Sequence, residues 1–100
     1  MTGRVGFNHL GHTVGDIAKA RRFYEGVLGF KFWWDLHCPD ELSSRVLQVP
    51  PPVGLTATYL WRPDLTINLM HFGAPGAARA WRERRLNDPG FTHIALSVDD

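Results

Sequence analysis

An α+β fold is predicted for this chain: strand, helix and three more strands, then a connecting helix and the first strand of a second module. Three observations predict it. A stretch near the N-terminus returns 84 positions later without a gap, with Gly6, Phe7, His9, Val14 and Asp16 matched by Gly90, Phe91, His93, Val98 and Asp100. Leu10/Ile94, Gly11/Ala95 and Thr13/Ser97 are near-substitutions in the same alignment. Two copies at a fixed offset indicate a duplicated module rather than a solenoid. Next, apolar residues fall at helical spacing across 17–28. Finally, three segments rich in β-branched and aromatic residues, bounded by turn signals, have the character of strands.

The first strand is expected over 7–14. Side chains alternate along a strand, so His9, Gly11 and Thr13 share one face and Leu10, His12 and Val14 the other. Asp16 follows as an N-cap, with a side-chain oxygen for a free backbone N–H. Ile17, Ala20, Tyr24, Val27 and Leu28 form the apolar stripe of a helix expected to run to Leu28. Gly29 then takes the left-handed conformation that ends it. The second strand is expected over 30–36, with Trp33 and Trp34 on opposite faces. Residues 40–48 suit a short helical turn, and Pro50, Pro51 and Pro52 an extended linker. The third and fourth strands are expected over 55–61 and 65–72, joined by a tight turn at Arg62, Pro63 and Asp64. A short helix over 77–86 leads into the repeat strand at 90–100. The first module thus spans 5–76, the connecting helix and loop 77–89, and the second module's opening strand 90–100. That second copy stops after its first strand, so 1–100 is expected to be a single, incomplete domain.

Composition narrows the function. A chain of 100 residues with 44% hydrophobic and 12% aromatic content suits one globular domain. A net charge of +1 argues against a nucleic-acid partner. Arg79, Arg82, Arg84 and Arg85 are taken as a solvated helix face. Cys38 is alone, which excludes a disulfide framework and fits a reducing, cytoplasmic setting. No apolar run has the length of a membrane span.

The repeat selects two of the five histidines. His9 and His93 hold the same place in two copies of one strand. If the copies pair about a pseudo-twofold axis, the two imidazoles meet near it, an arrangement that suits a divalent metal. The counterpart of His12 is Leu96, so that position belongs against the helix. His71 has the parity of Ile67 and Leu69, away from Asn68.

The run from His9 through Asp16, with Phe23, Tyr24, Val27, Leu28, Gly29 and Phe30, resembles the vicinal oxygen chelate superfamily. This superfamily includes glyoxalase I, extradiol dioxygenases, methylmalonyl-CoA epimerase and the bleomycin- and fosfomycin-resistance proteins. The resemblance implies a glyoxalase/dioxygenase-like βαβββ module, paired with another to cup a divalent metal (Zn, Ni, Mn, Fe or Co). It places His9 and His93 at metal-ligand positions. Asn68 stands where the family offers Glu or Gln, with a shorter reach and no charge. The function implied is metal-dependent lyase, isomerase or dioxygenase chemistry on a small oxygenated substrate. In that chemistry the metal acts as a Lewis acid.

No Glu falls on the expected pocket strands, so no general base is assigned. The alternative implied by resistance-type relatives is a metal-free module that sequesters a small molecule. Trp33, Trp34 and Tyr59 are candidates to line its cleft, with Phe32 and Trp61 beside them; the competing role for these aromatics is core or interface. A third reading is an inactive fragment of a longer protein. Exposed sheet edges favour a homodimer.

Overall fold

A computed structural model describes residues 3–79 and 83–99. Its elements follow the order β1 (Leu10–Thr13), α1 (Ile17–Gly26), β2 (Lys31–His37), α2 (Asp40–Leu47), β3 (Leu55–Arg62) and β4 (Leu65–Phe72). The four strands form one sheet in the order β1-β4-β3-β2. β1 runs parallel to β4, whereas β4 with β3 and β3 with β2 are antiparallel. This mixed α+β module has the strand–helix–strand–strand–strand order expected from the sequence, with α2 added between β2 and β3.

Local chemistry sets the ends of α1. Asp16 is its N-cap, and the Asp16 side chain accepts a hydrogen bond from the Lys19 N–H at 3.0 Å. The helix stops at Gly26, two residues short of the expected Leu28. The N–H groups of Val27 and Leu28 both turn to the Phe23 carbonyl, and Phe30 N–H donates to the Tyr24 carbonyl. Gly29 makes this reversal at φ +76°, a region where a Cβ is penalised. Arg62 Nη1 then donates to the Leu28 carbonyl at 3.0 Å, tying the helix exit to the end of β3. Asp16→Ala is expected to lower stability by about 0.5–2 kcal/mol through loss of the cap. A urea midpoint measured against Asp16→Asn, which keeps the cap, checks this.

The core lies between α1 and one face of the sheet. Tyr24, Phe30, Leu60, Ile67 and Leu69 are buried together, ringed by Val14, Ile17, Ala20, Leu28 and Leu65. The register explains the selection: Leu10 pairs with Ile67, His12 with Leu69, and Ile67 with Leu60. These residues share the α1 face. The distal face therefore takes Gly11, Asn68 and Tyr59, which are matched across three strands. His71 pairs with Thr56 on the α1 side, in keeping with its parity.

β1 is shorter than the expected 7–14, leaving His9 just before it, and three further expectations change. Trp33 and Trp34 do not lie on opposite faces. A β-bulge between Phe32 and Trp34 inserts one residue, so Phe32 pairs with Leu60 and Trp34 with the very next residue, Tyr59. Both indoles come to Tyr59, with ring centroids 6.3 and 4.7 Å from its own. The turn expected at 40–48 is a true helix, α2, carrying Asp40 and Glu41 in its first turn where the helix dipole favours them. The Asp40 carboxylate also accepts the Gly54 N–H at 2.9 Å, fastening α2 to the start of β3.

The third change concerns the chain after β4. Of the helix expected over 77–86, residues 80–82 lie outside the described residues, and the described ones are not helical. Arg84 is exposed, and its guanidinium donates to the carbonyls of Asp88 and Phe91, so this arginine closes a loop rather than lying on a helix. Residues 91–99 join no ladder of the sheet. Strand character in the sequence is not enough without a backbone partner. Residue 100, which ends that expected strand, lies outside the described residues. Among the described residues, no helix is long and apolar enough to cross a membrane.

Candidate functional site

The sheet positions an aromatic group on its distal face. Tyr59, in the middle of β3, stacks on Trp34 with centroids 4.7 Å apart and planes 6° from parallel. Trp33 meets both rings edge-on, at 6.3 Å from Tyr59 and 6.4 Å from Trp34. From the other side His9 approaches Tyr59 edge-on at 5.5 Å. These edge and stacked geometries are the favoured ones for aromatic pairs. The group is not a sealed core, since Trp33 keeps 59% of its surface exposed.

Asn68 lies beside Tyr59 in the register, on β4, with Gly11 of β1 on its other flank. It is 8% exposed, and among the described residues its Oδ1 has no hydrogen-bond partner. A buried acceptor left unpaired costs on the order of 1–3 kcal/mol.

His9, Asn68, Trp33, Trp34 and Tyr59 therefore share the distal face, as parity predicts for the first two. His93 is placed elsewhere. It lines a cavity of about 640 Å³ on the α1 side, with His12, Tyr24 and Ile67. His12 shares a hydrogen bond of 3.0 Å between its Nδ1 and the Tyr24 hydroxyl, so it does pack toward the helix. His37 is exposed and shares a 3.1 Å hydrogen bond with Thr56.

The distal face offers His9 and Asn68 as donors toward a divalent metal. A catalytic zinc-type centre uses three protein ligands and an open position. Among the described residues, no group of three His, Cys, Asp or Glu side chains is assembled. The residues on this face thus fit part of a metal centre and do not complete one. Neither Glu25 nor Asp35 joins this face: Glu25 pairs with Arg21 at 2.6 Å on α1, and Asp35 accepts at 2.6 Å from Thr58, whose register partner Leu69 faces α1.

Sequence reasoning identified the strand faces but missed the His12–Tyr24 bond, which joins residues of two elements. The signal available was the helical stripe that includes Tyr24, one turn from the end of a helix that must lie over β1. Burial raises the Tyr24 phenol above its ordinary pKa of 10.0. The folded state therefore holds this proton more tightly than the unfolded state. Its contribution is fully present below about pH 10 and is lost as pH rises through the folded-state value. The urea midpoint of the wild type is expected to fall more steeply than that of Tyr24→Phe above about pH 10.

No curated protein matches the chain at a significant level. A family model, that of the Glyoxalase/Bleomycin resistance protein/Dioxygenase superfamily, matches residues 6–100. That match takes in β1, α1, the whole four-stranded sheet and the repeat segment after it, and by it the chain belongs to the Glyoxalase/Bleomycin resistance protein/Dioxygenase superfamily.

Proposed function

We propose that the distal face binds a small, planar, oxygenated molecule, held by stacking on the tryptophans and by a hydrogen bond to Asn68. The observation that carries this reading is the unpaired, buried Asn68 Oδ1 beside an aromatic group that stays partly exposed. A ligand hydroxyl donating to that oxygen relieves the cost of leaving it unpaired. A ring stacked on Trp33 covers apolar surface that otherwise faces water. Membership of the superfamily supports a small-molecule ligand. Catechol is a suitable probe, being planar with two adjacent hydroxyls. Titration is expected to quench tryptophan fluorescence saturably, and Trp34→Ala to weaken binding on the order of tenfold. His12→Ala is expected to leave it unchanged. Quenching that is linear in catechol, or equal in Trp34→Ala, rejects the reading.

The same unpaired oxygen favours a second reading, in which a divalent metal takes His9 and Asn68 as two of its ligands. His93 completes that set only by leaving its place beside α1, for example across a homodimer. Such a metal would supply Lewis-acid polarisation of a bound oxygen. Thermal unfolding in the presence of zinc, nickel, manganese or iron tests it. A stabilisation lost in both His9→Ala and His93→Ala supports this set, and a melting temperature indifferent to all four metals rejects it. Sedimentation of the metal-loaded and metal-free chain reports the homodimer independently.

A further inference from the structure

The cavity on the α1 side has no part in the distal-face reading, yet it has the features of a ligand site. Its volume, about 640 Å³, lies within the range of small-molecule pockets. Phe23, Leu28, Phe30, Ile67, Ile94 and Leu96 make its walls predominantly apolar. Among the described residues its polar lining is confined to His12, Tyr24, Thr92 and His93, without a carboxylate, lysine or arginine. The two histidines are engaged in the same way. His12 Nδ1 bonds the Tyr24 hydroxyl at 3.0 Å, and His93 Nδ1 bonds the Thr92 hydroxyl at 2.8 Å.

Each imidazole thus has its Nδ1 satisfied by a hydroxyl and keeps Nε2 for another partner. When the hydroxyl donates to Nδ1, the neutral ring carries its proton on Nε2, which is then a donor. An apolar chamber whose polar lining can present two imidazole donors, with no competing anion, selects a ligand with an apolar body and an acceptor head. A carboxylate is the acceptor that gains most from such donors, because hydrogen bonds to a charged group are the stronger kind. A cationic head finds no counter-charge in the lining.

We infer that this chain has a second ligand site, between α1 and residues 91–96, that takes an apolar monocarboxylate. Its head is received by His12 and His93, and its body lies against Phe23, Leu28 and Phe30. The site is separate from the distal face and stands whether or not that face binds catechol.

The test uses the whole chain, with decanoate and 4-phenylbutyrate as probes for an alkyl and an aryl body. Binding is read by calorimetry and by the imidazole ring-proton resonances of His12 and His93. The expected result is saturable binding of at least one probe, with both resonances shifting along the same isotherm. His93→Ala is expected to weaken it at least about tenfold, as is replacement of the acid by decanol for the alkyl arm or 4-phenylbutanol for the aryl arm. Ile94→Trp, at a position 44% exposed and so tolerant of a larger side chain, is expected to fill the chamber and abolish binding. Trp34→Ala is expected to leave it intact. The inference is overturned if neither acid binds saturably, if His93→Ala or Ile94→Trp binds as the wild type does, or if Trp34→Ala removes binding.

Discussion

Leu60→Ala is expected to destabilise the chain by about 2–5 kcal/mol, a large part of the total stability of a domain this size. Leu60 is fully buried and sits where β3 meets the Ile67 position of β4 beneath α1. Among the described residues the core cluster contains five buried ones, so few neighbouring side chains can move to close the space left by the lost atoms. The deficit combines lost transfer free energy with the residual cavity. Urea unfolding followed by circular dichroism measures it, with Leu42→Ala as the control. Leu42 is 54% exposed, and its truncation is expected to change stability by about 0.5 kcal/mol or less. Equal midpoints for the two variants show that the core is not where the register places it.

Asn68→Leu is expected to act in opposite directions on stability and binding. Leucine is close to asparagine in shape, and it removes the buried oxygen that has no partner. Stability is expected to rise by about 1–3 kcal/mol, because no polar group is left to desolvate. Catechol affinity is expected to fall on the order of tenfold, since the same oxygen is the acceptor proposed for the ligand. Such a trade is characteristic of a residue kept for binding at the expense of folding. Melting temperature and fluorescence titration on the same preparation check both halves. A loss of stability shows that the Asn68 oxygen already has a partner in solution. Unchanged affinity removes it from the ligand site.

What the sequence conveys well is local or periodic. The Asp16 cap is legible because the bond it makes spans three residues, to the Lys19 N–H. The parity of His9, His12, Asn68 and His71 is legible because alternation is a property of the strand itself. The repeat adds a comparison that a single copy lacks, and the Leu96 counterpart points His12 toward the helix it indeed bonds. Legibility fails where a third body decides. The end of α1 depends on the Gly29 turn together with Arg62, a residue 34 positions from the Leu28 carbonyl it meets. The seating of α2 against the start of β3 depends on Asp40 accepting from the Gly54 N–H, 14 positions away.

The candidate site divides along the same line. Residues of the right type are visible in the sequence, and parity assigns His9 and Asn68 to one face. That Asn68 has no partner emerges only when every neighbour is in place. His93 matches His9 by position in the repeat, yet residues 91–99 take no place in the sheet, so equivalence in sequence does not become equivalence in space within one chain.

The bulge in β2 has one more consequence. Because Phe32 and Trp34 pair with the adjacent residues Leu60 and Tyr59, Trp33 can be removed without exchanging the faces of any other residue in the strand. Lys31 and Phe32 keep their partners on one side of the gap, and residues 34–37 keep theirs on the other. The framework therefore does not require Trp33. It is an added piece of wall, set into the rim of the aromatic group without altering the sheet that carries it. Variation at this point can proceed by gain or loss of a whole residue, reshaping what the face accepts while the fold beneath stays in register.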